Sequence, residues 1–157
     1  MIQIEEIPAE DIADFWAIHY EYLIRDGIIT DDEDKAYFCS DGYRSVIHHH
    51  MLREENRHHM VYFLRNGLRV GAAQYCMYKD EGGKCFLMDF WVFPRYRDIG
   101  IGHECFKSLQ RYTQKDGAVF YEINCTKDNA VRFWKSLGFR ENGVDEYGDP
   151  LFVADIV

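Results

Sequence analysis

The stretch "FLMDFWVFPRYRDIGIGHECFKSLQRY", Phe86 to Tyr112, divides into an apolar run, a charged turn and an amphipathic tail. The run from Cys85 to Phe93 is apolar on both faces except at Asp89, as expected of a central strand covered by helices on both sides. Pro94 closes it. From Gly100 onward, Ile101, Cys105, Phe106, Leu109 and Tyr112 recur with helical spacing. A strand therefore runs through a tight turn into a helix. The first N–H groups of a helix lack partners and its dipole is positive there, so the natural occupant of this junction is an anion. Gly100 and Gly102 lack a Cβ, which lets phosphate oxygens approach the main chain and allows left-handed backbone angles. Arg97 adds a mobile positive charge at the rim and can form two hydrogen bonds to one phosphate. A pyrophosphate suits this arrangement. No Gly-Lys-Ser/Thr follows, so the stretch is not a Walker loop, and it is one glycine short of the dinucleotide fingerprint.

Outward from this stretch the pattern continues as an α/β domain. "IQIEEI" alternates like a short strand, and Pro8 opens a helical pattern with Ile12, Trp16, Tyr20 and Leu23 on one side, ending at Gly27. "TDDEDK", Thr30 to Lys35, is too polar to pack and reads as a loop or a helix start. A second helix is expected over Gly42 to Arg53. "MVYFLRNGLRVGAAQYCMY" then reads as two strands joined at Asn66-Gly67. After the helix that starts at Gly100, "GAVFYEINC" is a further strand. Ala130, Phe133, Trp134 and Leu137 set a fourth helix that stops at Gly138, and the chain finishes in two strands around "EYGDP". With no internal repeat or linker, residues 1–157 read as one domain, with a mixed, mostly antiparallel sheet flanked by helices on both faces.

Composition limits the functions open to this fold. The 157 residues suffice to bury a core without staples, and aromatic content at 16% favours a well-filled interior or an aromatic-lined cleft. A net charge of −9 is the wrong sign for neutralising nucleic-acid phosphates and would welcome a cationic substrate. Five cysteines without a C-x-x-C pair suggest reduced core thiols, not a disulfide framework or zinc ribbon. The acidic start "MIQIEEIPAEDIADFW" is unlike a signal peptide and no run reaches transmembrane length, so a cytoplasmic location away from membranes is expected. His48, His49 and His50 are consecutive and would point in three directions on a helix, while His58 and His59 alternate across a strand. A solvated helix face and strand start is expected there, with no metal.

The quoted stretch resembles the signature of the GNAT acetyltransferase superfamily, in which a strand, then R-x-x-G-x-G, then a helix grips the pyrophosphate of acetyl-coenzyme A. Downstream, "NCTKDNAVRFWKSLGF" resembles the second half of that signature. The order of elements is similar over nearly the whole chain, and residue-level likeness runs from Phe86 to Phe139. The resemblance implies that the backbone of Trp91 and Val92 pairs with the pantetheine arm. It further implies that Arg97, Asp98, Ile99, Gly100, Ile101, Gly102 and His103 cradle the pyrophosphate, and that Asn129 bonds the arm from the other side. Asn129 is equally suited to capping its helix. Lys107 and Arg132 are candidates for the adenosine 3′-phosphate. Asp98 departs from the family, where a glycine or small residue is commoner, and its carboxylate should repel a pyrophosphate unless it points to solvent.

The same resemblance implies N-acetyl transfer to a primary amine, small and cationic given the acidic balance. An oxyanion would be met by a main-chain N–H near Val92. The proton-handling positions are unusual. Where the family often has a glutamate, this chain has Met88 and Asn124, and where a tyrosine acid is often assigned it has Trp134. A coenzyme A thiol has a pKa of roughly 8.5, so its thiolate leaves tolerably without an acid. An alkyl amine at about 10.4 is almost wholly protonated at pH 7, so a base matters more. Asp89 is the best replacement, with a hydrogen-bonded brace as its alternative role, and Glu122 and Tyr147 follow. The catalytic candidates are thus Asp89, Asn124 and Trp134. Trp134 could wall the thioester channel. The acidic run Asp31 to Asp34 would attract a cation if it borders the acceptor cleft. An acyl-coenzyme A binding module with little catalysis, an acetylase of protein N-termini or lysines, and a homodimer stay open.

Overall fold

Alternation of Ile2 and Ile4 with Gln3 and Glu5 forms β1 (Ile2–Glu6) in the computed structural model, which describes residues 1–155. After a short turn comes α1 (Ile12–Arg25), whose buried face carries Phe15, Trp16, His19, Tyr22 and Leu23. The expected stripe through Tyr20 is rotated: His19, and not Tyr20, lies at the centre of the buried face. The acidic run opens α2 (Asp32–Phe38), with the Asp31 carboxylate accepting from the Asp34 N–H at 2.7 Å. The Ser40 hydroxyl caps α3 (Asp41–Met51) in the same way.

Next come β2 (His58–Arg65) and β3 (Leu68–Tyr78), joined at Asn66-Gly67, where both residues have positive φ as the hairpin requires. β4 (Lys84–Val92) leads through the charged turn to α4 (Ile101–Lys115). β5 (Phe120–Asn124), α5 (Asp128–Ser136), β6 (Arg140–Val144) and β7 (Pro150–Asp155) complete the described chain. The sheet order is β1-β2-β3-β4-β5-β7-β6, and only β4 and β5 run parallel. One core lies between the sheet and α4 and α5, and a second between the sheet and α1 and α3. No helix among the described residues is long and apolar enough to cross a membrane.

Two irregularities in β4 position the site. Gln74 pairs with Asp89 but Tyr75 with Leu87, so Met88 is an extra residue in a β-bulge. The bulge reverses the alternation: Cys85 and Leu87 face the α4 side before it, whereas Asp89 and Trp91 face the α1 side after it. Pairing of β4 with β5 also ends at Leu87↔Ile123, while β5 continues against β7. From Met88 to Val92, β4 is therefore bonded to β3 alone, and the sheet parts beside it.

His58 was expected at a solvated strand start but is only 2% exposed. Burial pushes its imidazole down to about 4, so the folded protein holds it neutral. The unfolded chain takes up the proton near 6.5, which makes this group's contribution full above pH 6.5 and lost as pH falls toward 4. The difference corresponds to roughly 3 kcal/mol. Urea unfolding is expected to lose stability over that window in the wild type, and His58→Gln should flatten that part of the pH profile.

Candidate active site

The parted strands open into a cavity of about 680 Å³. Phe90, Val92 and Trp134 form its wall on the α4 and α5 side, and Tyr22 and Trp91 on the α1 side. Tyr22 and Trp91 are stacked, with ring centroids 4.2 Å apart and planes at 7°. Trp134 packs against Phe90, Phe106, Phe133 and Phe139, so its indole is fixed before any ligand arrives.

At the cavity mouth, Asp98, Gly100, Gly102 and His103 bring the turn and the start of α4 to the wall. No side chain caps α4, so its first N–H groups are left without side-chain acceptors at this end. The two glycines are needed for different reasons. Gly100 has φ +82°, a left-handed angle, whereas a Cβ on Gly102 would meet the Phe133 ring at 2.8 Å. Gly102 thus serves packing, not the left-handed geometry the sequence suggested. Asp98 also has a left-handed φ, +63°, which explains why a glycine suits the position and why aspartate, among the residues that tolerate such angles, can replace it. Its side chain borders the cavity yet is exposed. Ile99 projects to solvent and Ile101 into the core, leaving only their backbones to the turn.

Arg97 departs from the mobile rim cation that was expected. Its Nε donates to the Val92 carbonyl at 2.7 Å, and its Nη1 and Nη2 donate to the Asp26 carboxylate at 3.3 and 2.8 Å. The carboxylate already occupies the fork that a phosphate would use. The Lys127 ammonium donates to the Asp26 carbonyl, so the end of α1 is tied both to the turn and to the start of α5. Asp26 and Lys127 both line the cavity, and the sequence reading missed both. Asn129 lines it as well, from within the first turn of α5, and its side chain accepts from the Ala130 N–H at 2.9 Å; the cap position itself belongs to Lys127.

The three catalytic candidates separate. Trp134 is on the wall. Asn124 is not: at the end of β5 its amide donates to Asp145 at 2.8 Å, away from the cavity. Asp89 does not line the cavity either, because the bulge turns it toward α1. There its Oδ2 accepts from His19 Nε2 at 2.9 Å and from Gln74 Nε2 at 2.5 Å. The Asp89 side chain is 14% exposed, and its Oδ1 has no hydrogen-bond partner among the described residues. Glu122 lies 3.6 Å from Lys84, and Tyr147 is exposed in the β6–β7 turn. Lys107 and Arg132 are exposed and off the cavity wall. Burial pushes the Cys105 thiol up to about 12 and raises Cys76, Cys85 and Cys125 as well, so none of these four offers a ready thiolate.

A sequence model described as the acetyltransferase (GNAT) family matches residues 14–139. The chain belongs to the GNAT acetyltransferase family. The PaiA N-acetyltransferase of Thermoplasma acidophilum, solved in complex with coenzyme A, has a similar fold at 15% identity and a TM-score of 0.73, over 99% of each chain. An N-acetyltransferase of Staphylococcus aureus is 14% identical with a TM-score of 0.67, over 99% of this chain and 98% of that one. An acetyltransferase of Thermus thermophilus is 13% identical, also with a TM-score of 0.67, over 99% and 97%. No curated protein matches the chain. In this GNAT protein, the family's strand, turn and helix are β4, the Arg97 turn and α4.

Proposed function

We propose that this GNAT protein transfers an acetyl group from acetyl-coenzyme A to a primary amine, small and cationic. The parting of β4 from β5 beside the uncapped start of α4 carries this reading. It leaves strand backbone and helix N–H groups facing one cavity of about 680 Å³. Arg97 and Lys127 add positive charge there, with Asp26 and Asp98 opposing. Bound acetyl-coenzyme A would supply an acetyl group activated as a thioester.

The N–H groups of Gly100 to His103 would hold the diphosphate, and the free β4 edge at Trp91 and Val92 would align the arm. Asn129 would bond the arm from the α5 side. Asp89 would accept at Oδ1 the proton that the amine nitrogen sheds as its bond to the carbonyl carbon forms and the carbon–sulfur bond breaks. The leaving thiolate needs no side-chain acid, because its conjugate thiol has a pKa of roughly 8.5. Trp134 would wall the channel. Outside, the exposed acidic start of α2 would raise the local concentration of a cation.

Thiol release from acetyl-coenzyme A across a panel of amines, run beside a thermal shift with coenzyme A, tests this reading. Turnover with small amines supports it. A thermal shift without turnover favours an acyl-coenzyme A binding module, a reading supported by Asp89 lying off the cavity wall. Turnover with peptides alone favours a protein acetylase.

The Asp26–Arg97 pair adds a quantitative expectation. A diphosphate must compete with the Asp26 carboxylate for the Arg97 fork. Asp26→Asn is expected to tighten coenzyme A binding about fivefold by calorimetry, equivalent to about 1 kcal/mol. Weaker binding in that variant would mean that Asp26 holds Arg97 where the ligand needs it.

A further inference from the structure

We infer that His19 and Gln74 are positioning residues for Asp89, pinning one carboxylate oxygen so that the other is presented to the nitrogen of a cationic acceptor. This rests on the acetyl-transfer reading above. Neither residue belongs to the motif-bearing stretches, and both are almost fully buried, His19 at 1% and Gln74 at 0% exposure.

The atoms fix the direction of the chain. Buried His58 is neutral, and its Nε2 lies 2.8 Å from Gln74 Oε1, an atom that can only accept. Nε2 therefore carries the His58 proton and turns the amide nitrogen of Gln74 toward Asp89. That nitrogen and His19 Nε2 lie 3.1 Å apart and both reach Oδ2, an acceptor, so the proton of His19 sits on Nε2 when both donate to the carboxylate. With both donors on Oδ2, Oδ1 is the atom left to meet an acceptor nitrogen.

The surroundings make the pin rigid and dry. The His19 ring is stacked on Phe15 at 5.8 Å and meets the rings of Trp16, Phe38 and Trp91. The other titratable groups facing Asp89 are Tyr22 of α1, Tyr43 of α3 and His58 of β2. Burial, followed by the Asp89 charge, raises both phenols, so they stay protonated and add no charge. Met88, the bulge residue beside Asp89, is 39% exposed, and the Asp89 side chain itself is 14% exposed.

The test uses His19→Leu, which removes the donor, and His19→Gln, which offers an amide donor in its place. Steady-state rates are measured from pH 5.5 to 9.5 with 1,4-diaminobutane and 2-phenylethylamine at saturating acetyl-coenzyme A. His19→Leu is expected to lower kcat/KM for the amine at least tenfold at pH 7 and by clearly less at pH 9.5, where more of the amine is already neutral. KM for acetyl-coenzyme A should stay within twofold, and His19→Gln should recover most of the loss. An equal loss at every pH, or a glutamine variant no better than leucine, would overturn the inference.

A second measurement needs neither turnover nor a folded His19 variant. In ¹⁵N-labelled wild type, the His19 ring is expected to carry a proton on Nε2 whose signal lies downfield and moves upfield in Asp89→Asn, where a neutral amide oxygen replaces the carboxylate. Failure of both amines to turn over counts against the acetyl-transfer reading. A bare Nε2 counts against the pin itself.

Discussion

Asp89→Asn is expected to lower kcat/KM for amine acetylation about a hundredfold at pH 7, the usual scale for a positioned proton acceptor. At pH 9 the loss should shrink to about tenfold or less, because the neutral fraction of an alkyl amine with a pKa of about 10.4 rises close to a hundredfold over those two units. The asparagine side chain has nearly the same shape and keeps an oxygen that His19 and Gln74 can bond, so the fold should survive. The measurement is a pair of pH–rate profiles with one amine. Equal losses at both pH values, or no loss, would leave Asp89 as a brace between α1, β3 and β4 and nothing more.

How far the sequence reaches toward this site depends on the kind of signal each residue carries. The strand from Cys85, the turn at Arg97 and the helix from Gly100 were legible because burial on two faces and helical spacing leave strong local patterns. Asp89 stood out as the one charge in an apolar strand. Its direction did not, because a bulge at Met88 adds one residue to β4 and so exchanges the two faces beyond it. No local pattern in β4 announces a mismatch that exists only in its register with β3.

Long-range polar contacts were the other blind spot. Arg97 meets Asp26 across 71 residues, and His19 meets Asp89 across 70. The sequence does carry a faint hint of both buried partners: a histidine on the apolar face of α1 and a glutamine within "VGAAQYCMY". Each is a polar residue where the period demands an apolar one, and such groups need partners when buried. The acidic run could be read as a loop or a helix start, and the Asp31 cap decides for the helix.

Trp134 gives the second large effect. Truncating it to alanine removes an indole packed against four phenylalanine rings in the core of the α4 and α5 side, a change expected to cost about 3–5 kcal/mol. Urea unfolding measures that loss. Trp134→Phe keeps most of the packing and should retain kcat within about threefold, since a thiolate whose thiol has a pKa of roughly 8.5 leaves without help. A collapse of kcat in a stably folded phenylalanine variant would show that the indole N–H takes part in the chemistry.

Coenzyme A added to ¹⁵N-labelled protein, followed through the backbone amide signals, probes the seat at the start of α4 most directly. The signals of Gly100 to His103 should move first and saturate at micromolar ligand, with affinity falling as salt is added. Amides in that turn that stay still at millimolar coenzyme A would contradict a diphosphate site there, and the assignment of acetyl transfer to this cavity with it.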